Sequence, residues 1–151
     1  MRFCDYLRED RTNIHMKART KDEAIKELAE LLRDAEEVTD FDGFVRDVFE
    51  REALASTGIG NRAAAPHART DTVNRFLIAV GRSNEGIDFD SIDGEPVKVF
   101  FLMGTPKSPL GNYLKMLAHL TRLLKERDFV DNLVKAKSAG EVLSYFGDAE
   151  K

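Results

Sequence analysis

Two apolar runs, Phe76 to Val80 and Val97 to Met103, constrain what this 151-residue chain folds into more than any other feature. The first, Phe76-Leu77-Ile78-Ala79-Val80, has no polar position at all, and the second, VKVFFLM, has only Lys98. A strand with one wet face alternates apolar and polar residues, so runs of this kind require cover on both sides. Between them Asp88 to Pro96 is polar and carries Asp93-Gly94, which is turn chemistry, so the runs are expected to form a hairpin-like antiparallel pair. The rest of the chain must supply the cover. Its length and 42% hydrophobic content suit one domain over 1–151 rather than two.

Helical patterns flank these strands. Thr20 and Glu23 form a capping box, after which Ala24, Ile25, Leu28, Leu31, Leu32 and Ala35 recur on one stripe. Asp40 caps a second helix whose buried face is Phe41, Phe44, Val45, Val48 and Phe49, and whose end delivers Arg51. Past the loop Gly104 to Gly111, Leu110, Leu114, Leu117, Thr121 and Leu124 mark a third stripe, with Tyr113 and Leu120 beside it. Lys125 to Lys137 continues helically around Phe129 and Leu133, and Ser138 with Glu141 caps a last helix carrying Val142, Leu143, Tyr145 and Phe146. Two shorter strands are expected. Ile14, Met16 and Ala18 alternate with polar residues over Asn13 to Ala18, with His15 facing solvent. Gly58 and Gly60 break regular structure, and Ala63 to Ala65 form a strand ending at Pro66, which leaves His67 at a strand end. Met1 to Arg11 reads as a short helix or an irregular entry. Interleaved strands and helices with one hairpin indicate an α/β fold, a single-domain layered sandwich around a mixed sheet.

Charge and cysteine use narrow the function. Lys and Arg total 23 against 27 Asp and Glu, a net charge of −4 with the signs interspersed, which argues against nucleic acid or an anionic membrane surface as the main partner. The one cysteine, Cys4, excludes an internal disulfide and a multi-cysteine metal site, and it fits a reducing compartment, with the cytoplasm the expected location. No stretch has the length and apolarity of a signal segment or a membrane span, so no membrane insertion is expected.

Of three histidines, His15 and His119 read as surface or satisfied side chains, since neither has a ligand-type partner at metal-site spacing. His67 differs. A neutral imidazole is a nucleophile near neutral pH, and Arg51, Arg62 and Arg69 offer guanidinium groups to the oxygens of an arriving phosphoryl group. The amides around Gly58 to Asn61 are candidates for a backbone anion nest. Such a site needs neither cofactor nor metal, because it works by positioning and charge neutralisation. An ordinary turn with an exposed histidine is the plainer alternative.

Arg51-Glu52, Ser56-Thr57-Gly58-Ile59-Gly60, Ala63 to Pro66 and His67-Ala68-Arg69 together resemble the signature of the IIA components of the phosphoenolpyruvate-dependent sugar phosphotransferase system, fructose and mannitol type, including its nitrogen-regulatory branch. The resemblance extends through Lys21 to Leu32, Gly86 to Phe89, Asp93 to Val97, Phe101 to Pro106 and Leu114 to Ala118. It implies a mixed sheet with helices on both faces. It also implies that His67 accepts a phosphoryl group from a small histidine phosphocarrier protein and passes it to the cysteine of a IIB domain, or uses it as a regulatory signal towards a target protein. On this resemblance His67, Arg51 and Tyr113 form the catalytic set, and Ser56, Thr57, Gly58, Gly60 and Arg69 bind phosphate.

One departure matters. The family usually has a second histidine at the start of the late helix, where this chain reads Gly111-Asn112-Tyr113-Leu114. A phenol donates a hydrogen bond to a phosphate oxygen or an imidazole, but it has no cationic form. Tyr113 is therefore either a replacement partner, with transfer slowed or lost, or a packed helix residue. His119, six positions on, points to another side of the helix.

Overall fold

The computed structural model describes residues 2–151; Met1, the first residue of the expected entry segment, lies outside them. After two short turns at Phe3–Asp5 and Glu9–Arg11 the elements run β1 (Thr12–Asn13), α1 (Lys21–Glu30), α2 (Phe41–Leu54), β2 (Gly58–Gly60), β3 (Ala63–Ala64), β4 (His67–Arg69), β5 (Leu77–Ile87), β6 (Val97–Thr105), α3 (Leu110–Lys125), α4 (Arg127–Lys135) and α5 (Ala139–Ala149). The two apolar runs form the middle of one six-stranded sheet, ordered β1-β5-β6-β3-β2, with β4 also on β6. They pair antiparallel, Ile78 opposite Met103 and Val80 opposite Phe101. Strands β3 and β4 run parallel to β6, and β1 parallel to β5, so the sheet is mixed as expected.

The absence of polar positions in the runs now has its reason. Successive strand side chains point to opposite faces. Ile78, Val80, Phe101 and Met103 enter a core shared with α3, α4 and α5, while Leu77, Ala79, Phe100 and Leu102 enter a second core shared with α1 and α2. Gly104 lets the second layer come close, because a Cβ there would lie 2.8 Å from Phe44 Cε1 and 2.9 Å from Leu77 Cδ2. The capping predictions hold: Thr20, Asp40 and Ser138 each accept from the amide three residues on.

Several boundaries differ, each for a local cause. The strand expected over Asn13 to Ala18 shrinks to Thr12–Asn13, since the Asn13 side chain takes the His15 amide and Glu27 takes those of Lys17 and Ala18. The alternation survives in burial, with Ile14 buried and His15 exposed. Helix α1 stops at Glu30, where Leu31 and Leu32 switch to bonds three residues back. Gly58 to Gly60 do not break the sheet but form β2, antiparallel to β3. Helix formation is interrupted at Glu126, whose extended backbone separates α3 from α4. The stripe on α3 also shifts: Met116, Leu120, Leu123 and Leu124 are buried, whereas Leu110 and Leu114 are about half exposed.

Candidate functional site

Strand β4 is only three residues long, and its pairing with β6 sets His67 opposite Met103. His67 thus opens a strand rather than trailing one. Its ring nitrogen Nδ1 lies 2.9 Å from the Ala65 carbonyl oxygen. A carbonyl only accepts, so Nδ1 carries the proton and Nε2 keeps its lone pair. That nitrogen is 3.0 Å from the Tyr113 hydroxyl, which is therefore the donor between them. The residue is buried, with 4% of its surface exposed.

Burial, above all, pushes the His67 pKa below its ordinary 6.5; the Ala65 hydrogen bond raises it, the charge of Arg51 lowers it and Glu52 raises it, with a net fall. The imidazole is neutral at pH 7. A native-state NMR titration is expected to give a midpoint below 6.5. The unfolded chain then binds this proton more readily than the native protein. The contribution of His67 to stability is whole above pH 6.5 and is lost as pH falls from 6.5 through the native midpoint. A midpoint at or above 6.5 would contradict the geometry.

His67 faces a cavity of about 510 Å³ bordered by Asp47, Glu50, Arg51 and Leu54 from α2, Arg69 from β4, Lys107 from the loop after β6 and Tyr113 from α3. Arg51 donates through Nη1 to the Ala55 carbonyl at 3.0 Å, which spends one of its five N–H groups. The Arg69 guanidinium lies 5.6 Å from the centre of the Tyr113 ring. Three cationic side chains and two carboxylates, Asp47 and Glu50, therefore border a neutral nucleophilic nitrogen, a balance one charge to the positive side that suits an anionic electrophile. Among the described residues no group of three or more histidine, cysteine or carboxylate side chains is placed to hold a metal ion.

The structure brings His67, Arg51, Arg69 and Tyr113 together. It does not bring the other sequence candidates. Arg62 is paired with Asp131 of α4. The Ser56 hydroxyl donates to the Phe89 carbonyl at 2.6 Å, and the Thr57 hydroxyl to the Glu52 carboxylate. Gly58 and Gly60 are committed to pairing with β3, the Gly58 amide bonds the Ser56 side chain and the Asn61 amide bonds Asp93, so no open nest remains there. Ser56, Thr57, Gly58 and Gly60 hold the segment leading to β4 and do not line the cavity. His119 is satisfied elsewhere, its Nε2 2.6 Å from Glu150 and its ring stacked on Phe3.

Sequence reasoning missed Lys107 and Asp47, and it gave Glu52 no role beyond its place in the signature. Asp47, four residues before Arg51 on α2, carried a helical-spacing signal; it borders the cavity and accepts from the Thr70 hydroxyl. Lys107 had the weaker signal of lying in the loop after a central strand. Glu52, 4% exposed at its side chain, accepts from the Thr57 amide at 2.8 Å and faces Lys21 Nζ at 2.9 Å, fixing the end of α2 next to Arg51.

Residues 5–149 match the family model described as phosphoenolpyruvate-dependent sugar phosphotransferase system, EIIA 2. The chain is 40% identical over 119 residues to a fructose-specific EIIA component of the phosphotransferase system from Haloferax volcanii, covering 79% of this chain and 77% of that one. It is 33% identical over 133 residues to a nitrogen regulatory protein of Bradyrhizobium diazoefficiens, covering 85% and 84%. In structure it is similar to the nitrogen regulatory protein IIA-Ntr of Neisseria meningitidis, with a TM-score of 0.89, 28% identity and coverage of 95% and 98%. A match across almost the whole chain, on a fold that sets a neutral histidine beside two arginines, places this protein in the EIIA type 2 family of the phosphoenolpyruvate-dependent sugar phosphotransferase system.

Proposed function

We propose that the protein is a phosphohistidine carrier in which Nε2 of His67 accepts a phosphoryl group from the phosphohistidine of a small carrier protein. One observation carries this reading: the Ala65 carbonyl holds the proton on Nδ1, so the nitrogen on the cavity side, Nε2, is the unprotonated one that keeps its lone pair. Arg51 and Arg69 neutralise charge on the transferred group, with Lys107 at the rim. Leu54 borders this opening and is 82% exposed, and Leu110 and Leu114, 49% and 54% exposed, flank Tyr113 along α3, so exposed apolar side chains near the site support docking by a protein surface rather than entry of a free small molecule.

From His67 the group passes to the cysteine of a IIB domain, or its presence signals to a regulatory target. The relatives support both outlets, one being fructose-specific and the other a nitrogen regulatory protein. No helix among the described residues is long and apolar enough to cross a membrane, which fits a component that meets its partners in solution. The test is incubation with phosphoenolpyruvate, the first enzyme of the system and its carrier. One acid-labile phosphate per chain, mapped to His67, is expected. Adding a IIB domain then drains the label if transport is the outlet. A regulatory outlet instead shows as a partner that binds wild type and a His67→Asp variant unequally.

A further inference from the structure

Tyr113 stands in the first turn of α3 with its hydroxyl 3.0 Å from Nε2 of His67 and its ring centre 5.7 Å from the imidazole centre. Because Nδ1 is committed to Ala65, the only hydrogen on that contact is the phenol's. The nitrogen that attacks is thus already held by a hydrogen bond. We infer that Tyr113 is a positioning residue that hands this bond over: its O–H donates to Nε2 in the resting protein and to a phosphoryl oxygen once Nε2 is substituted. The inference rests on His67 being the phosphoryl acceptor.

The step balances without moving a proton. The Nε2 electron pair forms the new N–P bond while the donor's N–P bond breaks and its electron pair returns to the donor nitrogen. The Nδ1 proton stays on the ring against the Ala65 carbonyl, and the phenol keeps its own. Substitution removes the Nε2 lone pair and sets charged oxygens just beyond it, where the same donor finds a stronger acceptor. Arg69, against the face of the Tyr113 ring, keeps the phenol on this side of the cavity.

The charged groups around His67 are Asp47, Glu50 and Arg51 on the cavity face of α2, Glu52 behind them, Arg69 on β4 and Lys107 in the loop. The titration is therefore followed on the ring resonances of His67 itself.

Tyr113→Phe keeps the ring and deletes the donor. In that variant the ¹⁵N resonance of Nε2 is expected to move towards that of a free imine nitrogen, and the His67 titration midpoint to rise by about 0.5 to 1 pH unit. The rate of phosphoryl acceptance at saturating carrier should fall about 10-fold to 100-fold with the half-saturating carrier concentration unchanged, because the lost contact is made inside the cavity and not to the partner. Tyr113→His, which regains an N–H donor, should recover most of that rate. A Phe variant with an unmoved Nε2 resonance, or with unslowed acceptance, overturns the inference; a purely structural tyrosine would lower thermal stability and leave the resonance alone. Wild type that takes no label at His67 defeats the carrier reading and the hand-over with it, while the titration separately shows whether Tyr113 holds Nε2.

Discussion

His67→Ala is expected to take up no phosphate from the carrier under conditions that label the wild type fully. The substitution removes the nitrogen on which the new bond forms, and no second histidine borders the cavity among the described residues. The Tyr113 hydroxyl loses its hydrogen-bond acceptor with the imidazole. His119 is bound to Glu150 and stacked on Phe3, and it does not border the cavity. The variant also leaves the Ala65 carbonyl without its side-chain donor, at a cost of about 1–3 kcal/mol. His67→Asn is the matched control, since its amide nitrogen sits on Cγ as Nδ1 does and keeps a donor for that carbonyl while offering no nucleophilic nitrogen. Both variants should be unlabelled, and the Asn protein should unfold closer to wild type. Labelling of either one, read by acid-labile phosphate and by mass, would move the acceptor away from His67.

The second large effect concerns stability. Glu52→Ala should destabilise the protein by roughly 3–5 kcal/mol, the range for breaking a buried ion pair from one side. The carboxylate is the junction of three groups: the Thr57 amide, the Thr57 hydroxyl and Lys21 Nζ, which also lies 4.8 Å from the Phe89 ring centre. Removing it strands a buried amide and a partly buried ammonium together. Glu52→Gln keeps the volume and one acceptor, so its loss should be smaller, about 1–3 kcal/mol. Urea unfolding checks both, with the midpoint falling and the slope unchanged. A loss below about 1 kcal/mol in the Ala variant would mean that solvent replaces the network. Because Arg51 is the adjacent residue and the Thr57 carbonyl receives the Ala65 amide, phosphoryl acceptance should weaken as well.

The helix caps and the two-sided strands were legible because each depends on residues close in sequence. Thr20, Asp40 and Ser138 bond amides three positions away, and a run without polar positions states its own burial. His67, Arg51 and Arg69 were legible as chemistry and as part of a signature, and Tyr113 through the resemblance alone. What stayed hidden depends on distant partners. Nothing local to Arg62 says that Asp131, on a helix 69 residues later, will take its charge. Likewise the hydroxyls of Ser56 and Thr57 look free in sequence and are spent on Phe89 and Glu52. The α3 stripe was misplaced because leucines at Leu110 and Leu114 fit the helical period equally well. At the start of that helix Tyr113 borders the cavity, and the leucines on either side of it, Leu110 and Leu114, stay about half exposed.

The brevity of the outermost strands bears on how the molecule behaves at high concentration. Segments such as VFFLM, uncharged and rich in β-branched and aromatic residues, are the kind that stack into cross-β fibrils when their edges are free. Here that segment lies in β6, flanked by neighbours on both sides, while the sheet ends in β1 with 2 residues and β2 with 3. Beyond Gly81 the long strand β5 carries the exposed polar side chains of Asn84 and Glu85, the second of them charged, which discourage strand addition. Self-association through the sheet therefore requires β6 to be uncovered first, and variants that loosen its flanks, Glu52→Ala among them, are the ones in which precipitation should accompany unfolding.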